Sequence, residues 1–337
     1  MQKPDYWKTR VDEMHAILAT VKRGRVSTLA TSLAGNEIPM VVYGEKQDFG
    51  RKANYNSACG AKDPIHYADK KDSSNVVLIV GGIHANEFEG ISSALNFIQI
   101  LETGHDFMGR RFDFAGDLKG CRIIIVPIMN VDGRLRQPVD TFVGVAPELA
   151  HRYSMGTWKD GRDFIWPYCK QIHPIPMNEF AHVGGYFNDQ GVNFMHDNFY
   201  GEMQPETRAL LKLADEEAPD FALLLHSGGD MPCTPMAISY VPMYISEKLL
   251  ELSLRVKARA DEQGLRCGCD VIPDTRFAYP THSLNLTSAL HHVSGCVPTT
   301  YESESVIRDD MYEKILRVHF LLFEEAMRLP RATWMLW

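Results

Sequence analysis

A histidine and a glutamate three residues apart, His84 and Glu87, follow the apolar run Val76-Val77-Leu78-Ile79-Val80 and the pair Gly81-Gly82. Imidazole nitrogen and carboxylate oxygen are both zinc ligands, and a catalytic zinc site takes three protein ligands and leaves a fourth position open. A second imidazole, His226, follows another apolar run, Phe221–Leu225, and again has glycines behind it, in His226-Ser227-Gly228-Gly229. Zinc held by such a set activates water near neutral pH and polarises a carbonyl. Hydrolysis also needs a carboxylate that takes a proton from water and returns it to a leaving nitrogen. Glu302, after Val297-Pro298-Thr299-Thr300-Tyr301, is the first candidate for that task and Glu304 the reserve. Each residue alone reads equally well as an ordinary polar group in a strand-to-helix turn, so the expectation rests on the set.

Strand ends must position these side chains. An unbroken run of five apolar residues predicts a strand buried on both faces, and open α/β sheets place their sites at the C-terminal edges of such strands. Asn86, Glu87 and Glu89 suit the first turn of a helix continuing through 91–98. Residues 122–128, 221–225 and 297–301 read as further strands, and 25–32 and 38–43 as a hairpin about Ala34-Gly35-Asn36. Helices are expected over 5–20, 205–213, 246–263, 287–293 and 309–328, with His319 a packed helix residue. Residues 44–75 read as loop. The alternation predicts an α/β domain with a mainly parallel sheet covered on both faces. Residues 138–200 break the rhythm with Pro, Gly, His, Trp and Tyr, and loops of that length in compact domains are usually functional. The whole chain, 1–337, reads as one domain carrying this irregular region.

Composition narrows the classes. Of 337 residues, 45% are hydrophobic and 23% charged, close to globular averages. The net charge of −8 and the lack of a basic patch interleaved with aromatics argue against nucleic acid. The N-terminus has no apolar signal core and no run approaches membrane-spanning length. Seven scattered cysteines suit a reducing compartment, so a cytoplasmic location is expected. Cys267-Gly268-Cys269 lacks the spacing and the second pair of a zinc site, and its thiols read as incidental.

The order of motifs is specific. H-x-x-E (His84, Glu87), N-x-D-G (Asn130–Gly133), P-E-T-R-A-L (Pro205–Leu210), H-S (His226-Ser227) and T-Y-E (Thr300–Glu302) together resemble the zinc carboxypeptidases of the carboxypeptidase A type, over roughly residues 70 to 325. The resemblance implies a three-layer α/β/α domain with a mixed, mainly parallel, eight-stranded twisted sheet. It also implies one zinc ion on His84, Glu87 and His226, with Glu302 promoting the attack of water. Tyr279 matches the position of a loop tyrosine that caps the substrate, with the pocket floor near Leu284-Asn285-Leu286. An oxyanion-stabilising arginine is implied as Arg152 first and Arg136 second.

Within Gly191-Val192-Asn193-Phe194-Met195-His196-Asp197 the chain departs from that family. Where the family places an Asn-Arg pair on the substrate's terminal carboxylate, this chain has Met195 and His196. Met donates nothing, and one imidazole cannot replace the fixed donor fork of arginine. Asn193 keeps the position that orients a zinc-bound imidazole. His196 and Asp197 are therefore expected to read an atypical terminal group, with Asp197 favouring a cationic one. The function expected is zinc-dependent hydrolysis of an amide bond in a small peptide or acyl-amino acid. A deacylase or amidase of N-acyl amino acids, similar to succinylglutamate desuccinylases and aspartoacylases, is the alternative, and a non-catalytic peptide-binding module is the third reading.

Overall fold

The computed structural model describes residues 3–70, 74–113, 120–269 and 284–329. In chain order its strands are β1 (Arg25–Thr31), β2 (Glu37–Tyr43), β3 (Val76–Val80), β4 (Arg122–Val126), β5 (Gly156–Trp158), β6 (Phe180–Val183), β7 (Phe221–Ser227), β8 (Thr234–Pro235) and β9 (Val297–Ser303). Seven of them form one sheet in the order β1-β2-β4-β3-β7-β9-β8. The central strands β4, β3, β7 and β9 are parallel, while β1, β2 and β8 run antiparallel at the edges. Every residue of β3, β4 and β7 is buried, as expected of parallel strands covered on both faces. The helices Phe88–Thr103, Met243–Glu262 and Tyr312–Arg328 pack together as one layer; Tyr55–Gly60, Pro205–Glu217 and Leu286–Ser294 make the other.

The fold class is the one expected, with one correction to the strand count. Among the described residues the main sheet has seven strands, not eight. The strand-forming segments of the long connection, β5 and β6, pair with each other as a separate ribbon. The edge strand β8 stops after two residues at Pro235, which cannot donate to a ladder.

The stretch 138–200 is also more ordered than its composition suggests. It holds a helix, Pro147–Met155, the β5/β6 ribbon and three short 3₁₀ turns. Phe164, Cys169, Ile175, Phe180, Tyr186 and Phe187 give it a small apolar core of its own. The opening helix is shorter than expected, Val11–Leu18, because the Glu13 carboxylate accepts the backbone N–H groups of Thr9 and Arg10 and starts the helix there. Among the described residues no helix is long and apolar enough to cross a membrane.

Candidate active site

Glycines set the approach of the first ligand segment. Gly82, at φ +59°, turns the chain out of β3 in a conformation that a side chain would strain. Gly90 lets the following helix lie against β7, since a Cβ there would come within 2.6 Å of the Leu225 side chain. Between them, the Glu87 N–H bonds to the His84 carbonyl at 3.1 Å, and Glu87 is the last residue before the helix Phe88–Thr103, its side chain making no capping bond. His226 lies in the last turn of the ladder on β7, and its register partner on β9 is Glu302. Paired residues on parallel strands share a face, so Glu302 stands beside His226 by construction.

The three imidazole and carboxylate groups converge. His84 Nδ1 lies 2.8 Å from Glu87 Oε1, His226 Nδ1 lies 2.8 Å from Glu87 Oε2, and the two Nδ1 atoms are 3.2 Å apart. All three residues are buried. His84 Nε2 donates to Asn193 Oδ1 at 3.1 Å, which leaves the Nδ1 lone pair of a neutral ring facing the carboxylate. The Glu87 Oε2 atom faces the His226 ring nitrogen. Electron-rich atoms facing one another inside a protein need a cation among them, and this donor set suits zinc. Among the described residues no other cluster has metal-ligand geometry.

Burial alone would raise Glu87, but the two histidines outweigh it and hold the carboxyl at about 2. Burial lowers His84 more than Glu87 raises it, whereas for His226 the nearby carboxylates of Glu87 and Glu302 prevail and raise it. Burial lifts Glu302 to about 7, against the lowering influence of His226 and with that of Glu87 raising it. Its Oε2 would sit 3.5 Å from a Cβ on Gly228, an ordinary contact, which places this carboxylate beside the turn that follows His226.

Surrounding residues hold the cluster. Glu89, fully buried, accepts the Ser227 hydroxyl at 2.6 Å and the Val306 N–H at 2.7 Å, tying the helix that follows Glu87 to β7 and to the segment after β9. Asn130 caps the short helix Val131–Arg136 through the Gly133 N–H, and Asp132 accepts Ser32 and Asn36 from the β1/β2 turn. Tyr186 stacks on the His84 ring with centroids 4.0 Å apart. Its loop is held by backbone bonds from Gly185 and Tyr186 to Tyr153 and Ser154, and from Ala85 to Gly185. Nothing in the spacing of the sequence marks Tyr186; its neighbour Gly184-Gly185 pair is the one hint of close backbone approach.

Other expected residues fall differently. Arg152 is near the surface and bonds Asp163 at 2.7 Å. Arg136 bonds the Phe187 carbonyl at 2.6 Å and pairs with Asp189, and burial lowers it to about 10. Arg152 is thus paired with Asp163 and Arg136 with Asp189. The two Asp197 oxygens accept the N–H groups of Asn198 and Gln204, which uses this carboxylate to close a turn. His196 is half-buried, and burial first, then Lys170 and His84, bring it down to about 4. Glu304 bonds Arg266 at 3.0 Å. Asn285 caps the helix Leu286–Ser294 by accepting the Ser288 N–H. Tyr279 lies outside the described residues.

A model of the family described as zinc carboxypeptidase matches residues 14–297. No curated protein matches the sequence. Among solved structures, a metallo-carboxypeptidase from Burkholderia cenocepacia is similar with a TM-score of 0.59 at 11% identity, over 94% of this chain and 68% of that one. Carboxypeptidase A from Helicoverpa armigera has a TM-score of 0.58 at 14% identity, over 96% and 74%. A metallo-carboxypeptidase from Pseudomonas aeruginosa, in complex with (2-guanidinoethylmercapto)succinic acid, has 0.54 at 12%, over 95% and 68%. With a family match over most of its length, and a buried His-Glu-His group able to hold a metal, the chain belongs to the zinc carboxypeptidase family and is a zinc metallohydrolase.

Proposed function

We propose that this chain hydrolyses an amide bond, with one zinc ion held by His84, Glu87 and His226 and with Glu302 as the general base. The observation that carries this reading is the meeting of three buried ligand atoms within 4.8 Å of one another, with Glu302 in register beside His226. Zinc bound there would polarise the scissile carbonyl and make water acidic enough to attack near neutral pH. Glu302 takes the proton of the attacking water and passes it to the departing nitrogen, a task favoured by a carboxyl whose pKa lies near the working pH. Asn193 keeps the His84 ring turned, and Tyr186 covers its face.

A peptide is the first substrate class. A specific observation also favours the deacylase reading: Met195 and the neutral His196 stand where an arginine clamp is expected, so the site is not built around bidentate capture of a peptide's C-terminus. Seven free thiols are compatible with a reducing compartment.

The test is hydrolysis by zinc-loaded protein of free peptides and of N-acyl amino acids, with products identified by mass. At least one class is expected to be cleaved, and Glu302→Gln to lower kcat/KM by about 10²–10⁴-fold while the zinc content stays the same. Cleavage of neither class, or a Glu302→Gln variant as fast as the parent, would overturn the reading.

A further inference from the structure

The torsion that turns an imidazole about its Cβ–Cγ bond is broad, so neighbours must set the plane of a histidine ring. For His84 the edges meet polar atoms: Nδ1 faces Glu87 and His226, and Nε2 faces Asn193. One face is covered by Tyr186, whose ring centroid lies 4.0 Å from that of His84 with the planes 26° apart. His226 approaches the same ring edge-on, at 4.8 Å and 63°. The fold imposes this stack. The Ala85 N–H donates to the Gly185 carbonyl at 2.7 Å, which joins the neighbour of the ligand to the neighbour of the tyrosine. Gly185 has no room for a side chain, since a Cβ would come within 2.7 Å of the Asn86 nitrogen. The Gly185 and Tyr186 N–H groups donate to the Tyr153 and Ser154 carbonyls, and the Ser154 hydroxyl accepts the Asn86 amide at 3.2 Å. Behind the ring stands the small apolar core of the irregular region, with Phe164, Cys169, Ile175, Phe180 and Phe187. Tyr186 is thus buried and held from two sides against a ligand.

The strength of that stack depends on what His84 binds. A neutral imidazole and a phenol pack as two aromatic rings. An imidazole that shares its Nδ1 lone pair with a dication becomes electron-poor, and the negative face of Tyr186 then attracts it as it would a cation. At 4.0 Å the two rings are well inside the ~6 Å reach of such an attraction, which is stronger away from water. A contact that strengthens when the ion binds raises the affinity for that ion. We propose that Tyr186 is a positioning residue of the metal centre: it holds the His84 ring in the plane that aims Nδ1 at Glu87 and His226, and it stabilises that ring once zinc takes the lone pair. This rests on the zinc reading above, and it gives the irregular region 138–200 a task at the site, as the clamp that lays an aromatic face on His84.

Zinc affinity of the full chain, read by competition with a chromogenic chelator, tests this independently of turnover. The parent is compared with Tyr186→Phe, which keeps an aromatic face, and with Tyr186→Leu and Tyr186→Met, which keep apolar bulk without one. Phe187→Leu is the control: Phe187 belongs to the same small core and packs on Tyr186 with centroids 5.4 Å apart. The Tm of each metal-free protein is measured alongside. Tyr186→Leu and Tyr186→Met should each lose about 3–30-fold in zinc affinity, and Tyr186→Phe less than about threefold. Phe187→Leu should lower the metal-free Tm and keep the zinc affinity of the parent. Leucine and methionine variants that bind zinc as the parent does, or a Tyr186→Phe variant as weak as they are, would overturn the proposal. So would an equal loss in Phe187→Leu, because the packing of the core and not the stack would then set the affinity. A parent that binds no zinc would remove the metal reading and this one together. Tyr186-dependent zinc binding in a protein that cleaves no amide would remove the hydrolase reading alone; zinc-dependent hydrolysis with an affinity indifferent to Tyr186 would remove this one alone.

Discussion

At the scale of single residues, the site is governed by what burial does to charge. Removing Glu302 from water favours its protonated form and raises it to about 7, although His226 and Lys170 work in the other direction. The base we propose is the ionised form, so kcat/KM should fall as pH drops and Glu302 gains its proton. A cation on the neighbouring cluster favours the carboxylate, so the limb is expected below 7, at about pH 5–7; a profile flat through that window would exclude Glu302 as the base. Asn193 is the second residue whose effect can be isolated. Its Oδ1 accepts both His84 Nε2–H at 3.1 Å and Met195 N–H at 2.9 Å. Partners of this kind fix the tautomer of a metal-binding ring, and their loss typically lowers metal affinity about 10–100-fold. Asn193→Ala should show that loss in competition with a chromogenic chelator, and Asn193→Asp, which keeps the acceptor, should recover most of it.

At the scale of elements, one buried ion pair joins three segments. Arg122, first residue of β4, bonds Glu217 at 2.6 and 2.9 Å and the Gly44 carbonyl at 2.8 Å. Glu217 ends the helix Pro205–Glu217, and Gly44 follows β2. Glu217→Gln leaves a guanidinium buried without its countercharge and should cost about 3–5 kcal/mol, read from the urea midpoint; a loss below about 1 kcal/mol would mean that water reaches the pair. The strands were legible in the sequence because strands covered on both faces are unbroken apolar runs, and His84, Glu87, His226 and Glu302 were legible because they end such runs. The helix Pro147–Met155 was not, since it is short and none of its nine residues is buried. The helix Tyr55–Gly60 is too short to show a period, and β8 has only two residues. Tyr186 reaches His84 through backbone bonds to Tyr153 and Ser154, a neighbourhood that no local spacing encodes. Arg152 was chosen by its position in the chain, and its exposure and its bond to Asp163 follow from a ribbon that was itself unread.

At the scale of the whole molecule, the ligand cluster is a point where the fold gathers ionisable groups away from water. His84 and Glu87 follow β3, His226 lies on β7, and Glu89 links the two neighbourhoods to the segment after β9. The folded chain therefore holds two imidazoles and a carboxylate together in a dry interior whether or not an ion shares them, while the unfolded chain lets them separate into water. A cation that binds only the folded arrangement stabilises it by mass action, about 2.7 kcal/mol at a free concentration one hundred times Kd. Chelation should accordingly lower Tm by a few degrees, and zinc should restore it. Because neutral imidazoles and an ionised carboxylate are the binding forms, protons compete with the ion, so the zinc-dependent part of Tm should shrink as pH falls from 7 to about 5. Magnesium, which prefers oxygen ligands, should restore little. A Tm that chelator and zinc leave unchanged across this range would mean that the three side chains satisfy one another by sharing protons, and the metal chemistry would have to be withdrawn from this site.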